Sequence, residues 1–178
     1  MIIFMGLAGS GKSTMGQLLA AHLQCPWIST GHLLRSHMDK DTQKQMLRGE
    51  IISDEKTLTV LDEEFRRIGA HQKQFILDGT PRTMRQAQWL VNKDQTGELK
   101  ITAVVHLVID ETKARERLLK RQRPDDHEQA IIERFSEYEK SIKPIVKYLT
   151  AEGYKVRDIN ADQKPQAVEE DIEQALGL

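Results

Sequence analysis

Apolar residues along the chain recur with two different periods. Compact runs at 1–5 (MIIFM), 27–29 (WIS), 74–78 (QFILD) and 101–109 (ITAVVHLVI) have the β-branched and aromatic content of buried strands. Between and after them the apolar positions spread out to helical spacing within polar stretches. The C-terminal part repeats the theme: YKVRDI at 154–159 predicts a last strand. In the KPQAVEEDIEQALGL that follows, Pro165 suits a first helical turn, and Val168, Ile172 and Leu176 recur every four positions. Strands alternating with helices predict an α/β fold, a parallel sheet with helices on both faces. More than forty residues separate WIS from QFILD and read as mainly helical and polar, more than one crossover needs. They are predicted to protrude as a helical insert at 30–60. No repeat or low-complexity linker interrupts the rest, so residues 1–178 are expected to form one domain.

Composition narrows the function classes. The 178 residues suffice for one sizeable core, and 30% of them are charged with a net charge of -1, which leaves no overall basic field for nucleic acid or membrane. Neither partner is expected. Cys25 is the only cysteine, which excludes an intrachain disulfide and any multi-cysteine zinc site. With no long apolar run in the chain, a reduced cytoplasmic setting and a monomer are expected. His22, His32, His37, His71, His106 and His127 are scattered without ligand spacing, so no zinc is expected, and Trp27 and Trp89 read as packing residues.

Candidate chemistry begins at GLAGSGKST, residues 6 to 14. Gly6, four intervening residues, Gly11, Lys12 and Ser13 match the Walker A pattern between a predicted strand and a predicted helix. Glycines there let main-chain N–H groups turn inward around phosphate, and the helix presents its positive end. Gly9, Ser10, Gly11, Lys12, Ser13 and Thr14 are therefore candidate nucleotide-binding residues, with Lys12 reaching the terminal phosphates and Ser13 placed for Mg²⁺ accompanying ATP. Asp78 at the end of the third strand lies where an open sheet binds ligands and is placed to organise Mg²⁺ through its waters. A switch GTPase would need Asn-Lys-x-Asp after a strand. Asn92-Lys93-Asp94-Gln95 has its carboxylate one place early and lies near the end of a predicted helix. A small-molecule kinase remains, and it needs a second anion site built from arginines.

STGHLLR at 29–35 follows the second strand, with Ser29 or Thr30 as a helix N-cap and Arg35 a turn later. DGTPRTMRQAQWL at 78–90 turns at Gly79 and Pro81 and launches a helix carrying Arg82 and Gln86. Together with GEIISDE at 49–55, RERLLKRQRPDD at 115–126 and ERFSEYEKSIKPIVKYL at 133–149, these stretches resemble the adenylate kinase family of nucleoside monophosphate kinases over nearly the whole chain. The resemblance implies a three-layer P-loop NTPase fold with a five-stranded parallel sheet, the 30–60 stretch as the monophosphate-binding insert, and residues 121–126 as a very short lid. It implies an acceptor site of Thr30, Gly31, Arg35, Ile52, Gly79, Arg82 and Gln86, with both arginines on the AMP phosphate and Gln86 on adenine. It further makes Arg117 a contact of the ATP base and phosphates, and Arg121, Arg123 and Arg134 the residues around the phosphoryl in flight. Lys164 in KPQ resembles the loop whose backbone reads the ATP adenine; a plain helix start fits those residues equally.

The implied activity is ATP + AMP ⇌ 2 ADP. The wording of the acceptor motifs resembles the AMP-selective branch, with UMP, CMP or another small-molecule acceptor, or a nucleotide-responsive assembly or binding protein with weak kinase or ATPase activity, as alternatives. Against the family pattern, the loop reads GLAG, Ser13 replaces a glycine, Thr80 an aromatic and His32 an aspartate. Only Gln122 separates Arg121 from Arg123, so the lid is shorter than the family's short form. Because lids keep water from the transferring group, ATP hydrolysis without acceptor, or dependence on a partner for closure, is expected.

Overall fold

The computed structural model describes residues 1–37, 40–48 and 50–178. Each predicted apolar run forms a strand, with bounds that match or shift by one or two residues: β1 (Ile2–Gly6), β2 (Trp27–Ser29), β3 (Ile76–Asp78), β4 (Ala103–Val108) and β5 (Val156–Asn160). All pair in parallel, in the order β2-β3-β1-β4-β5. Around them lie α1 (Lys12–His22), α2 (Thr30–His37), α3 (Lys40–Leu47), α4 (Asp54–Ile68), α5 (Met84–Gln95), α6 (Glu111–Arg121), α7 (Glu128–Glu137), α8 (Lys143–Ala151) and α9 (Pro165–Leu176). A π-helical turn, Tyr138–Ile142, joins α7 to α8.

The period-two alternation of β1 explains the three layers. Ile3 and Met5 join one buried cluster with Leu61 and Phe65 of α4, Leu90 of α5 and Ile145 and Leu149 of α8. Ile2 and Phe4 join the opposite cluster with Met15 and Leu19 of α1 and Val168 and Ile172 of α9. A strand packed on both faces must be apolar throughout, which is why MIIFM and AVVHLV read as continuous runs.

The long stretch between β2 and β3 is helical as expected, but it does not all protrude. Its last helix, α4, buries Thr57, Leu61 and Phe65 along one narrow stripe. Phe65 lies 5.2 Å from Phe75 and 5.9 Å from Trp89, centroid to centroid, within the main core. Burying a side chain of that size stabilises the fold by about 1.5–3 kcal/mol, so α4 belongs to the body of the protein. The 30–60 boundary therefore cuts through α4, and residues 38, 39 and 49 of that stretch lie outside the described residues.

The register brings the chemistry to one edge. Phe4 and Ser29 both pair with Asp78, and Gly6 pairs with Leu107, so the carboxyl ends of β1, β2 and β3 meet where the strand order reverses.

Candidate active site

A cavity of about 480 Å³ opens at that edge, a volume on the scale of small-ligand sites. Its floor is the turn from β1 into α1. Gly6 has φ 141°, and a Cβ there would come within 2.4 Å of the Leu107 carbonyl oxygen, so only glycine fits. Gly11 has φ 97° and precedes α1 without a side-chain cap, unlike α4, α5, α6 and α7, which Ser53, Thr83, Asp110 and His127 cap. The first N–H groups of α1 thus remain available to an anion in the cavity. Lys12 donates to the carbonyls of Gly6 and Leu7 at 2.9 and 2.8 Å. Burial pushes its ammonium down to about 8, opposed by Asp78 and Glu137 and reinforced by Arg82 and Arg121.

Ser13 Oγ donates to Asp78 Oδ2 at 2.6 Å beside the lysine. This hydroxyl and carboxylate are hard oxygen donors. Among the described residues no group of three or more His, Cys, Asp or Glu is placed to hold a metal. Two protein oxygens facing a phosphate-sized space suit an ion such as Mg²⁺, which keeps waters and phosphate oxygens as its other ligands.

Six arginines line the cavity: Arg35, Arg82, Arg117, Arg121, Arg123 and Arg134. Arg35 lies close enough to three of them to feel their charge. Burial and then the charges of Arg123, Arg121 and Arg82 push the Arg35 guanidinium below its usual value against the pull of Asp125. Arg82 Nε donates to the Gly79 carbonyl at 3.1 Å, and its Nη1 lies 3.9 Å from Glu137. Arg117 Nη2 donates to the Gln163 carbonyl at 3.3 Å. At the rim, Arg121 grips Asp126 with two hydrogen bonds of 2.8 and 2.6 Å, and Arg134 pairs with Asp125 and Asp126. Asp126, whose side chain is 1% exposed, is pushed up by burial, but the Arg121 bonds, the Arg123 N–H and the charge of Arg134 outweigh this and hold it below the usual carboxylate range.

The structure brings nearly all the sequence-predicted residues to this cavity. Gly9, Ser10, Gly11, Lys12, Ser13 and Thr14 line it at the β1–α1 turn with Asp78, and Thr30, Gly31, Arg35, Ile52, Gly79, Arg82, Gln86, Arg117, Arg121, Arg123 and Arg134 line the same cavity. Ser29, not Thr30, caps α2 by accepting from His32 N at 3.4 Å, and Thr30 shares a 2.8 Å hydrogen bond with Thr80. Lys164 occupies the N-cap position of α9 without a side-chain capping bond and lies outside the lining, which includes its neighbours Gln163 and Pro165. Of the imidazoles, His106 is a core residue bonded to Asp158 at 2.7 Å and Tyr138 at 2.9 Å. Sequence reasoning missed Glu137, whose side chain is 8% exposed inside the site. Burial pushes its carboxyl above the usual range despite Arg82, Lys12 and Arg134. Its only sequence signal is a position three residues after Arg134 on one helical face.

The family model described as Adenylate kinase matches residues 4–154, from β1 through the last turn before β5. The chain belongs to the adenylate kinase family. It is 34% identical to "Adenylate kinase 1" of Nostoc sp. over 182 aligned positions, which cover 99% of this chain and 98% of the relative. It is 33% identical to "Adenylate kinase" of Corynebacterium urealyticum, covering 98% and 95% of the two. An adenylate kinase of Geobacillus sp. is 29% identical over 213 positions. That alignment is longer than the 178 residues here, so this relative carries segments the present chain lacks.

Proposed function

We propose that this enzyme transfers the terminal phosphoryl group of Mg-ATP to AMP, reversibly giving two ADP. The supporting observation is that one cavity is lined both by the uncapped α1 terminus with Lys12 and by Arg35 and Arg82, two sets of groups suited to phosphate.

In this reading the floor, with Gly9, Ser10, Gly11, Lys12, Ser13 and Thr14, receives the ATP phosphates. Arg117 and the backbone around Lys164 receive the rest of the donor. Arg35 and Arg82 hold the AMP phosphate, with Thr30, Gly31, Ile52, Gly79 and Gln86 around the nucleoside. Ser13 and Asp78 would hold Mg²⁺, which when bound neutralises charge on the donor phosphates. No side chain is needed as a general base, because an AMP phosphate oxygen is already anionic near neutral pH. What resists reaction is repulsion between two polyanions and charge on the group in transfer. Arg121, Arg123 and Arg134 lower that barrier by placing guanidinium groups around it. Holding both reactants in line contributes up to about 7–11 kcal/mol. Within residues 30–60, the part that precedes α4 acts as the acceptor-binding insert, and residues 121–126 act as the lid. No described helix is long and apolar enough to cross a membrane, and we place the enzyme in the cytoplasm as a monomer.

The test is ADP formation in a coupled assay with ATP and a panel of monophosphates, on the native chain and on Arg82→Ala. AMP is expected to be the best acceptor, and the variant to lose turnover by about 10²-fold or more with weaker AMP binding. Unchanged turnover and AMP affinity in the variant would overturn the assignment.

A further inference from the structure

Gln86, on the first turn of α5, is only 1% exposed, and both ends of its side-chain amide are engaged within the protein. Its Oε1 accepts from the Arg82 main-chain N–H at 2.8 Å, and its Nε2 donates to Asp54 Oδ1 at 2.9 Å. The same Asp54 oxygen accepts the Thr83 hydroxyl at 2.7 Å, while Thr83 Oγ1 caps α5 by accepting from Gln86 N at 3.2 Å. Asp54 opens α4, so the helix that closes the long β2–β3 stretch reaches across to an amide on α5.

The two partners have opposite and fixed polarity. A main-chain N–H can only donate, and a carboxylate can only accept. Turning the Gln86 amide over would set its NH₂ against the Arg82 N–H and its oxygen against the Asp54 carboxylate, two repulsive contacts in a buried place. One orientation is therefore held from both ends. In it, Oε1 keeps one further lone pair and Nε2 one further proton, and Gln86 lines the cavity.

We propose that Asp54 is a positioning residue that sets the acceptor-base selectivity of the enzyme by locking the Gln86 amide in the orientation that reads an amino-substituted base. The inference rests on the reading that Gln86 faces the acceptor base. Adenine offers an N6 amino donor beside the N1 acceptor, which matches a free oxygen lone pair beside a free N–H. A 6-oxo purine offers the reverse pair, an acceptor beside a donor, and meets the locked amide with both bonds mismatched. The same rule separates CMP from UMP, so edge polarity selects amino over oxo bases.

The experiment compares kcat/KM for AMP and inosine monophosphate at saturating ATP in the full-length native chain, Asp54→Asn and Gln86→Ala. An asparagine at 54 can turn its own NH₂ towards Gln86, which removes the fixed acceptor at that end of the lock and leaves the Arg82 N–H as the only group holding the amide's orientation. Asp54→Asn is expected to narrow the AMP preference by about tenfold, with KM for ATP unchanged and the CMP-to-UMP ratio moving the same way. A merely structural role would lower both acceptors together and leave the ratio fixed. If Gln86→Ala collapses the preference and Asp54→Asn leaves it intact, the lock is overturned while the reading of Gln86 stands. If neither variant moves the ratio, Gln86 does not face the base and both fall. If Asp54→Asn does not fold, side-chain amide NMR of the native protein decides: slow exchange with water of a Gln86 Nε2 proton supports the lock, and solvent-rate exchange of both protons overturns it.

Discussion

On the floor of the cavity Lys12 is held by two main-chain carbonyls, at 2.9 and 2.8 Å, whereas at the rim Arg121 and Arg134 are held by the carboxylates of Asp126 and Asp125. The floor is assembled by backbone that the β1–α1 turn fixes, so its cation is ready for a ligand without giving up a charged partner. The rim stores its cations in a neutralised network, so in the proposed reaction a phosphoryl group would compete with Asp125 and Asp126 for them. Preorganisation thus belongs to the floor and partner exchange to the rim.

The largest expected effect comes from the floor. Lys12→Met removes a cation whose ligands are main-chain atoms, so the fold should survive while kcat falls by about 10³-fold. Circular dichroism together with steady-state rates checks this; a matched loss of structure would break the contrast.

At the rim the same kind of change should strike stability. Asp126→Asn leaves Arg121 and half-buried Arg134 short of a counter-charge and is expected to lower unfolding free energy by about 3 kcal/mol. The pH dependence follows from the sign of its shift. Because the Asp126 carboxyl is held below its usual value, its contribution is complete above the ordinary carboxylate pKa and is lost as pH falls through the depressed one. Urea titrations between pH 7 and pH 3 should show the native chain losing stability on the acid side, and the variant showing a flatter limb.

The same contrast explains what could be read in advance. The central strands β1 and β4 announced themselves, because strands covered on both faces need continuous apolar residues, whereas edge strand β5 reads VRDIN and buries only Ile159; the floor could be read because its spacing is local. The rim could not. Arg121 and Asp126 are brought together by Gln122, which takes φ 56° at the end of α6, so a break in a basic run reads as mere charge alternation. The packing of α4 was hidden because Thr57, Leu61 and Phe65 form a thin stripe amid DEKTLTVLDEEFRRI. Asp54 and Gln86 stand 32 residues apart and meet only through the packing of α4 beside α5.

The smallest expected effect sharpens the account of the rim. On the proposed assignment of residues 121–126 as a lid, little chain would cover the transferring group, so ATP hydrolysis without acceptor should exceed that of a long-lid relative assayed alongside by about severalfold. Equal backgrounds would mean that the ion-paired rim excludes water as well as a longer flap does.

The most direct measurement is calorimetric titration of the intact chain with a compound joining two adenosines through five phosphates. One-to-one binding at least about a hundredfold tighter than ATP or AMP alone is expected, since a single molecule would engage both sides of the cavity. Binding no tighter than ATP would contradict the claim that two phosphate sites face one another across it.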